Sequence, residues 1–204
     1  MSLIRKLTAK PWEHAGEMEG IHGGNTVGRP AGRTGLYLFL AVITSMFLLF
    51  SISHHMRSAY PDWRPVAEPG ILWFNTAVLA FASMALQWAA NAARRGAAPV
   101  LRKGLLMAAV FTIVFVGGQL VAWEQMLSAG YYASKNPANA FFYMFTAIHA
   151  VHLIGGMWFL LGALNRAFKM ADDAALANRV SLCATYWHYL LLVWLLLFYL
   201  LLSS

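Results

Sequence analysis

Residues 140–156 read AFFYMFTAIHAVHLIGG, and this stretch decides the fold. It is apolar enough to lie in a bilayer, yet it carries Thr146, His149 and His152 among its aromatics. Ionisable groups at membrane depth are costly and need a partner or a purpose. On a helix, positions three and seven apart share a side, so His149, His152 and Gly156 point in nearly the same direction. A glycine there lets a neighbouring helix come close.

The rest of the chain is of the same kind. Of its 204 residues 60% are hydrophobic and 11% are charged. A soluble domain is about a quarter charged and less than half apolar. Five long apolar segments occur, at residues 34–54, 71–93, 104–128, 140–165 and 180–202. Each reaches the roughly 20 residues that span a hydrocarbon core. Backbone polar groups in lipid must be satisfied within their own segment, so each segment is a helix. The expected fold is all-α, an integral membrane bundle of five transmembrane helices over residues 34–204. Asn136 and Pro137 mark the start of the fourth helix. Residues 1–33 are polar and glycine-rich, and no signal-peptide core follows Arg5 and Lys6. They predict a loosely ordered arm, with Trp12 at the interface.

Orientation follows from the basic residues. Arg5, Lys6, Lys10, Arg29 and Arg33 precede the first span, Arg94, Arg95, Arg102 and Lys103 follow the second, and Arg166, Lys169 and Arg179 follow the fourth. These twelve fall on one side, against Arg57, Arg64 and Lys135 on the other. The bias predicts a cytoplasmic N-terminus and a C-terminus outside. It also accounts for the net charge of +7 through cationic loops facing an anionic leaflet, with no nucleic acid partner.

Helix rise places His152 on the fourth segment and His188 on the fifth at one depth, about 12 Å above the cytoplasmic face. The two segments are consecutive and antiparallel, so the two imidazoles are expected near each other, fixing helix packing. Two chemistries compete. One is ligation of haem or metal, with His152 and His188 as an axial pair. The other is a hydrogen-bonded structural cluster with Thr146, Thr185, Tyr186 and Trp187. A dinuclear site wants several inward carboxylates. Glu124 is the only acid within the five segments, near the outer end of the third, which favours the structural cluster. Glu124 itself reads as an interfacial carboxylate in a helix-end hydrogen-bond network. The lone Cys183 excludes an intrachain disulfide, a CxxCH haem attachment and a two-cysteine copper centre. No proline interrupts a span and no repeat is visible, which argues against a transporter.

Four stretches carry a family resemblance. Residues 186–201, YWHYLLLVWLLLFYLL, resemble the last helix of cytochrome c oxidase subunit III, with its Tyr-Trp-His triplet and Val-Trp-Leu. Residues 141–156, FFYMFTAIHAVHLIGG, resemble that family's penultimate helix. GGQLVAWEQM at 117–126 and GLYLFLAVITSMFLLF at 35–50 resemble the helix before it and the first helix of the five-helix form. The resemblance covers residues 34–202. It implies an accessory subunit of a haem-copper respiratory oxidase in a bacterial inner membrane. Such a complex reduces oxygen to water with electrons from cytochrome c or quinol and translocates protons. The resemblance further implies no cofactor in this chain, with haems and copper in partner subunits, bound phospholipid, and packing against catalytic subunit I. Thr146, His149, His152, Tyr186, Trp187, His188 and Glu124 would then form a structural and lipid-cleft cluster rather than a catalytic one. Two departures stand out: Val42 and Ile43 replace the family's Ser-Glu, and Leu191 replaces its Asp. The chain also lacks the two N-terminal helices of the seven-helix members, so the lipid cleft they enclose is open or completed by another subunit. The alternatives are an accessory subunit of a nitric oxide reductase, or a small membrane haem b or metal protein using His152 and His188.

Overall fold

The computed structural model describes residues 31–65, 69–169 and 174–203. By its contacts the chain divides into Met1–Thr34 and Gly35–Ser204. The expected arm up to residue 30, with Trp12, lies outside the described residues, whereas residues 31–33 already belong to a helix.

The helices are α1 (Ala31–Ser58), α2 (Ile71–Arg94), α3 (Ala98–Ser128), α4 (Pro137–Lys169) and α5 (Ala174–Leu202). Each is long and apolar enough to cross a membrane. Four of them start before the apolar segments do: α1 at Ala31 rather than 34, α3 at Ala98 rather than 104, α4 at Pro137 rather than 140, as Asn136 and Pro137 mark, and α5 at Ala174 rather than 180. In α1, α3 and α5 the apolar stretch ends at a basic residue, but helical hydrogen bonding propagates through that flank. Asn136 caps α4, its Oδ1 accepting the Ala138 N–H at 3.2 Å, with Pro137 in the first helical position.

Loops at each end are tied together. The Asn136 amide clasps the connection after α1, donating to the Arg64 carbonyl at 2.6 Å. From the last turn of α1 the Arg57 guanidinium forks onto Asp62 in that connection and holds its carboxyl below the usual carboxylate range. At the opposite end, α2 turns into α3 through Gly96, whose φ of 67° suits glycine. Ala97 N–H reaches the Ala92 carbonyl and Gly96 N–H the Ala93 carbonyl, closing a Schellman motif. Arg102 Nε caps α4 by donating to the Ala167 carbonyl at 2.9 Å.

Helices α2 to α5 form a ring in which α2 meets α3 and α5, and α4 meets α3 and α5. Small residues permit the close approaches. A methyl at Gly104 would stand 2.9 Å from the Ala89 methyl and 3.1 Å from the Ala85 carbonyl oxygen. One at Gly156 would stand 2.6 Å from the Tyr186 ring. Helix α1 is attached differently. Among the described residues none of its Cα atoms comes within 8 Å of another helix's. It buries the stripe Leu40, Ile43, Phe47 and His54 through long side chains. The Thr44 and Tyr189 hydroxyls lie 2.8 Å apart, and both reach the Leu40 carbonyl. Phe39 stacks on Tyr186, Phe47 packs on His152, and His54 sits edge-on to Trp63 and Phe141.

The close approach at Gly104 makes a prediction. Gly104→Ala should destabilise the detergent-solubilised protein by about 1–3 kcal/mol, because the Ala85 backbone cannot yield. Gly117→Ala, whose methyl would meet nothing within 4 Å, should leave the midpoint unchanged or raise it. Thermal unfolding of the two variants side by side reads the difference.

Candidate functional site

The side chains singled out in the sequence lie along the ring's interior and its perimeter, and they do not form one cluster. A repeated device joins several of them. Thr146 on α4 donates its hydroxyl proton to the Phe142 carbonyl at 2.7 Å and accepts the Trp123 indole N–H from α3 at 2.9 Å. Thr112 on α3 does the same, donating to Ala108 at 2.7 Å and accepting from Trp187 on α5 at 3.2 Å. Thr76 on α2 donates to Leu72 at 2.8 Å and accepts from Trp194 on α5 at 2.9 Å. A threonine hydroxyl can bond back to its own turn and still offer a lone pair. Each indole N–H thus finds an acceptor on another helix, and three helix pairs are pinned, two of them adjacent and one, α3 with α5, across the ring.

The three histidines have separate surroundings. His149 is fully buried, with ring centroids 5.1 Å from Trp194 and 5.9 Å from Phe115. His152 faces α1: its Nδ1 lies 2.8 Å from the Ile148 carbonyl and its ring packs on Phe47 and Phe39. Tyr186 donates to the His152 carbonyl at 3.0 Å, so that part of the expected cluster is present. His188 faces α2. Its Nδ1 is 2.5 Å from Ser83 Oγ and its Nε2 is 3.0 Å from Gln87 Oε1. The glutamine oxygen only accepts, so Nε2 carries the proton and Nδ1 accepts from the serine. Gln87 in turn donates to Asn91 Oδ1 at 3.2 Å.

Two expectations are therefore corrected. His152 and His188 share no partner: their side chains leave α4 and α5 toward different helices, because equal depth fixes level but not azimuth. Glu124 is exposed, and among the described residues it makes no hydrogen bond or ion pair, so the helix-end network expected around it is not there. Among the described residues no three His, Cys, Asp or Glu side chains come together. Ile43 and Leu191 take up packing positions, Ile43 at 3% exposure facing the ring and Leu191 half-buried against the core.

Sequence reasoning passed over Thr76, Ser83, Gln87, Asn91 and Thr112. The signal was present: each is a polar residue inside a span, and those on α2 recur on the side that meets α5.

Comparisons with known proteins agree with one another. The family model described as cytochrome c oxidase subunit III matches residues 8–203. The chain is similar to cytochrome c oxidase subunit 3 of Thermostichus vulcanus, 28% identical over 172 residues, covering 82% of this chain and 84% of that protein. It is similar to the protein of the same name from Synechocystis sp., 28% identical over 193 residues, covering 90% and 78%. A probable cytochrome c oxidase subunit 3 of Nocardia farcinica is 29% identical over 164 residues, covering 78% and 79%.

The Thr112–Trp187 pin can be tested by an isostere. Thr112→Val keeps the shape but strands the Trp187 N–H, which should cost about 1–3 kcal/mol in unfolding free energy. Combined with Trp187→Phe, the loss should be smaller than the sum of the two single losses, read by denaturant titration.

Proposed function

The chain belongs to the cytochrome c oxidase subunit III family, and from that membership we infer that it packs, free of any redox centre of its own, against the catalytic haem-copper subunit. The complex is an oxidoreductase that takes electrons from cytochrome c or quinol, reduces oxygen and translocates protons. This subunit supports its assembly, its retained phospholipid and its stability.

The observation that carries this reading is the strip Ser83–His188–Gln87–Asn91 between α2 and α5. His188 is exposed on the outside of the ring, within the span of both helices. Lipid tails offer such a strip no hydrogen bonds, and a polar group left facing hydrocarbon is costly. A neighbouring protein surface with polar groups of its own suits it. The histidines favour a structural over a ligand role, since both ring nitrogens of His188 are already engaged by Ser83 and Gln87. The family's two membrane carboxylates are replaced by Ile43 and Leu191, so proton handling that depends on them does not pass through those positions.

The orientation we propose puts the N-terminus in the cytoplasm, supported by the twelve-to-three division of basic residues. With Cys183 buried, Ser203→Cys should react with a membrane-impermeant thiol reagent applied from the periplasmic side, and Ser2→Cys should not. Labelling of Ser2→Cys alone would reverse the orientation.

The docking role is tested by purifying the native complex with His188→Ala. Subunit content, read by mass spectrometry, should fall, while oxygen consumption per remaining catalytic subunit persists. Loss of turnover with this subunit fully retained would contradict an accessory role.

A further inference from the structure

Asn75 on α2, Gln119 on α3 and His149 on α4 are enclosed by the ring, at 0%, 1% and 0% exposure. Among the described residues none of their six side-chain nitrogen and oxygen atoms has a hydrogen-bond partner. Three unpartnered polar groups on three different helices are unusual, because buried polar atoms are nearly always bonded.

Their contacts put them in one layer. Asn75 Oδ1 lies against Gly118, where an added methyl would collide with it, and Gln119 is the next residue. The Trp123–Thr146 bond fixes the antiparallel register of α3 and α4. One turn back along α3 and one turn forward along α4, Gln119 and His149 stand at the same level. Phe115, a turn from Gln119 on the same buried stripe, touches both His149 and Trp194, with centroids 5.9 and 4.9 Å away. Trp194 touches His149 at 5.1 Å and bonds Thr76, the neighbour of Asn75. The layer therefore has a polar side made by Asn75, Gln119 and His149, closed by the rings of Phe115 and Trp194.

We propose that this layer binds ordered water, bridging the Asn75 and Gln119 amides and the His149 imidazole inside the membrane-spanning ring. Each amide offers a carbonyl oxygen and an NH2 group, and a neutral imidazole offers one donor and one acceptor. Water both donates and accepts, so it answers every one of these groups. Internal waters occupy sites with two to four otherwise unsatisfied polar partners. A set of two amides and one imidazole, with no cluster of His, Cys, Asp or Glu side chains among the described residues, suits a neutral dipolar occupant. The Phe115 and Trp194 rings separate it from the lipid.

Radiolytic hydroxyl-radical labelling of the purified wild-type assembly tests this, because radicals made from bound water oxidise side chains that bulk solvent never reaches. Trp194 and Trp187 are both at 0% exposure and chemically alike, so they form an internal pair. Trp194 should be oxidised severalfold faster than Trp187, with His149 labelled as well. Equal slow labelling of the two tryptophans would overturn the proposal. Gln119→Leu should reduce Trp194 labelling at least twofold without changing Trp187; if that variant does not accumulate, a cryo-EM map decides in its place. Density within hydrogen-bond distance of two or more of the three side chains supports the site. Direct bonds among them with no further density overturn it.

Discussion

An indole N–H in hydrocarbon has no water to turn to, and the ring of four helices is organised around that fact. Three tryptophans each find a threonine hydroxyl on another helix, two on an adjacent helix and Trp187 across the ring, and each threonine remains bonded to its own turn. The geometry is demanding because the hydroxyl is short and the indole must reach it in one direction. It fixes level and azimuth together, α3 to α4 through Trp123, α3 to α5 through Trp187, α2 to α5 through Trp194. Apolar packing alone is less discriminating in a membrane, where lipid tails resemble leucine side chains.

The small residues serve the same end. Gly104 against Ala85 and Ala89 brings α2 and α3 near enough for backbone contact, and Gly156 admits the Tyr186 and Trp187 rings against α4. With Gly156 filled, Trp187 would be pushed from the position where it reaches Thr112. Helix spacing and polar satisfaction are thus one constraint seen from two sides.

The fold was legible from the sequence because a bilayer allows few solutions: five apolar spans give five helices, and only the ends moved once the basic flanks proved helical. The site was less legible. Helix rise assigns His188 and His152 a common depth, but depth says nothing about which neighbour a side chain faces. That depends on the order of helices around the ring, and the sequence of one chain does not carry it. Ser83 and Gln87, the actual partners of His188, lie in the second span, and one sequence does not say which helix its polar side meets. The Gly156 close approach was readable, since a glycine one heptad from a histidine has few other uses in a helix. Glu124 misled, because the only acid in the spans invites a network that its exposed position does not supply.

Helix α1 stands apart in kind. The other four are locked by backbone proximity and by directional bonds at several levels. This one is held by rings resting on rings and by one polar spot, where the Tyr189 hydroxyl meets the Thr44 hydroxyl and the Leu40 carbonyl. Stacked aromatics slide and tilt at little cost, whereas a hydrogen bond at close backbone distance does not. A span that is longer or shorter than the surrounding bilayer adjusts by tilting. Among the described residues α1 is the helix that no close backbone approach holds at a fixed angle, so tilting it disturbs the fewest close contacts.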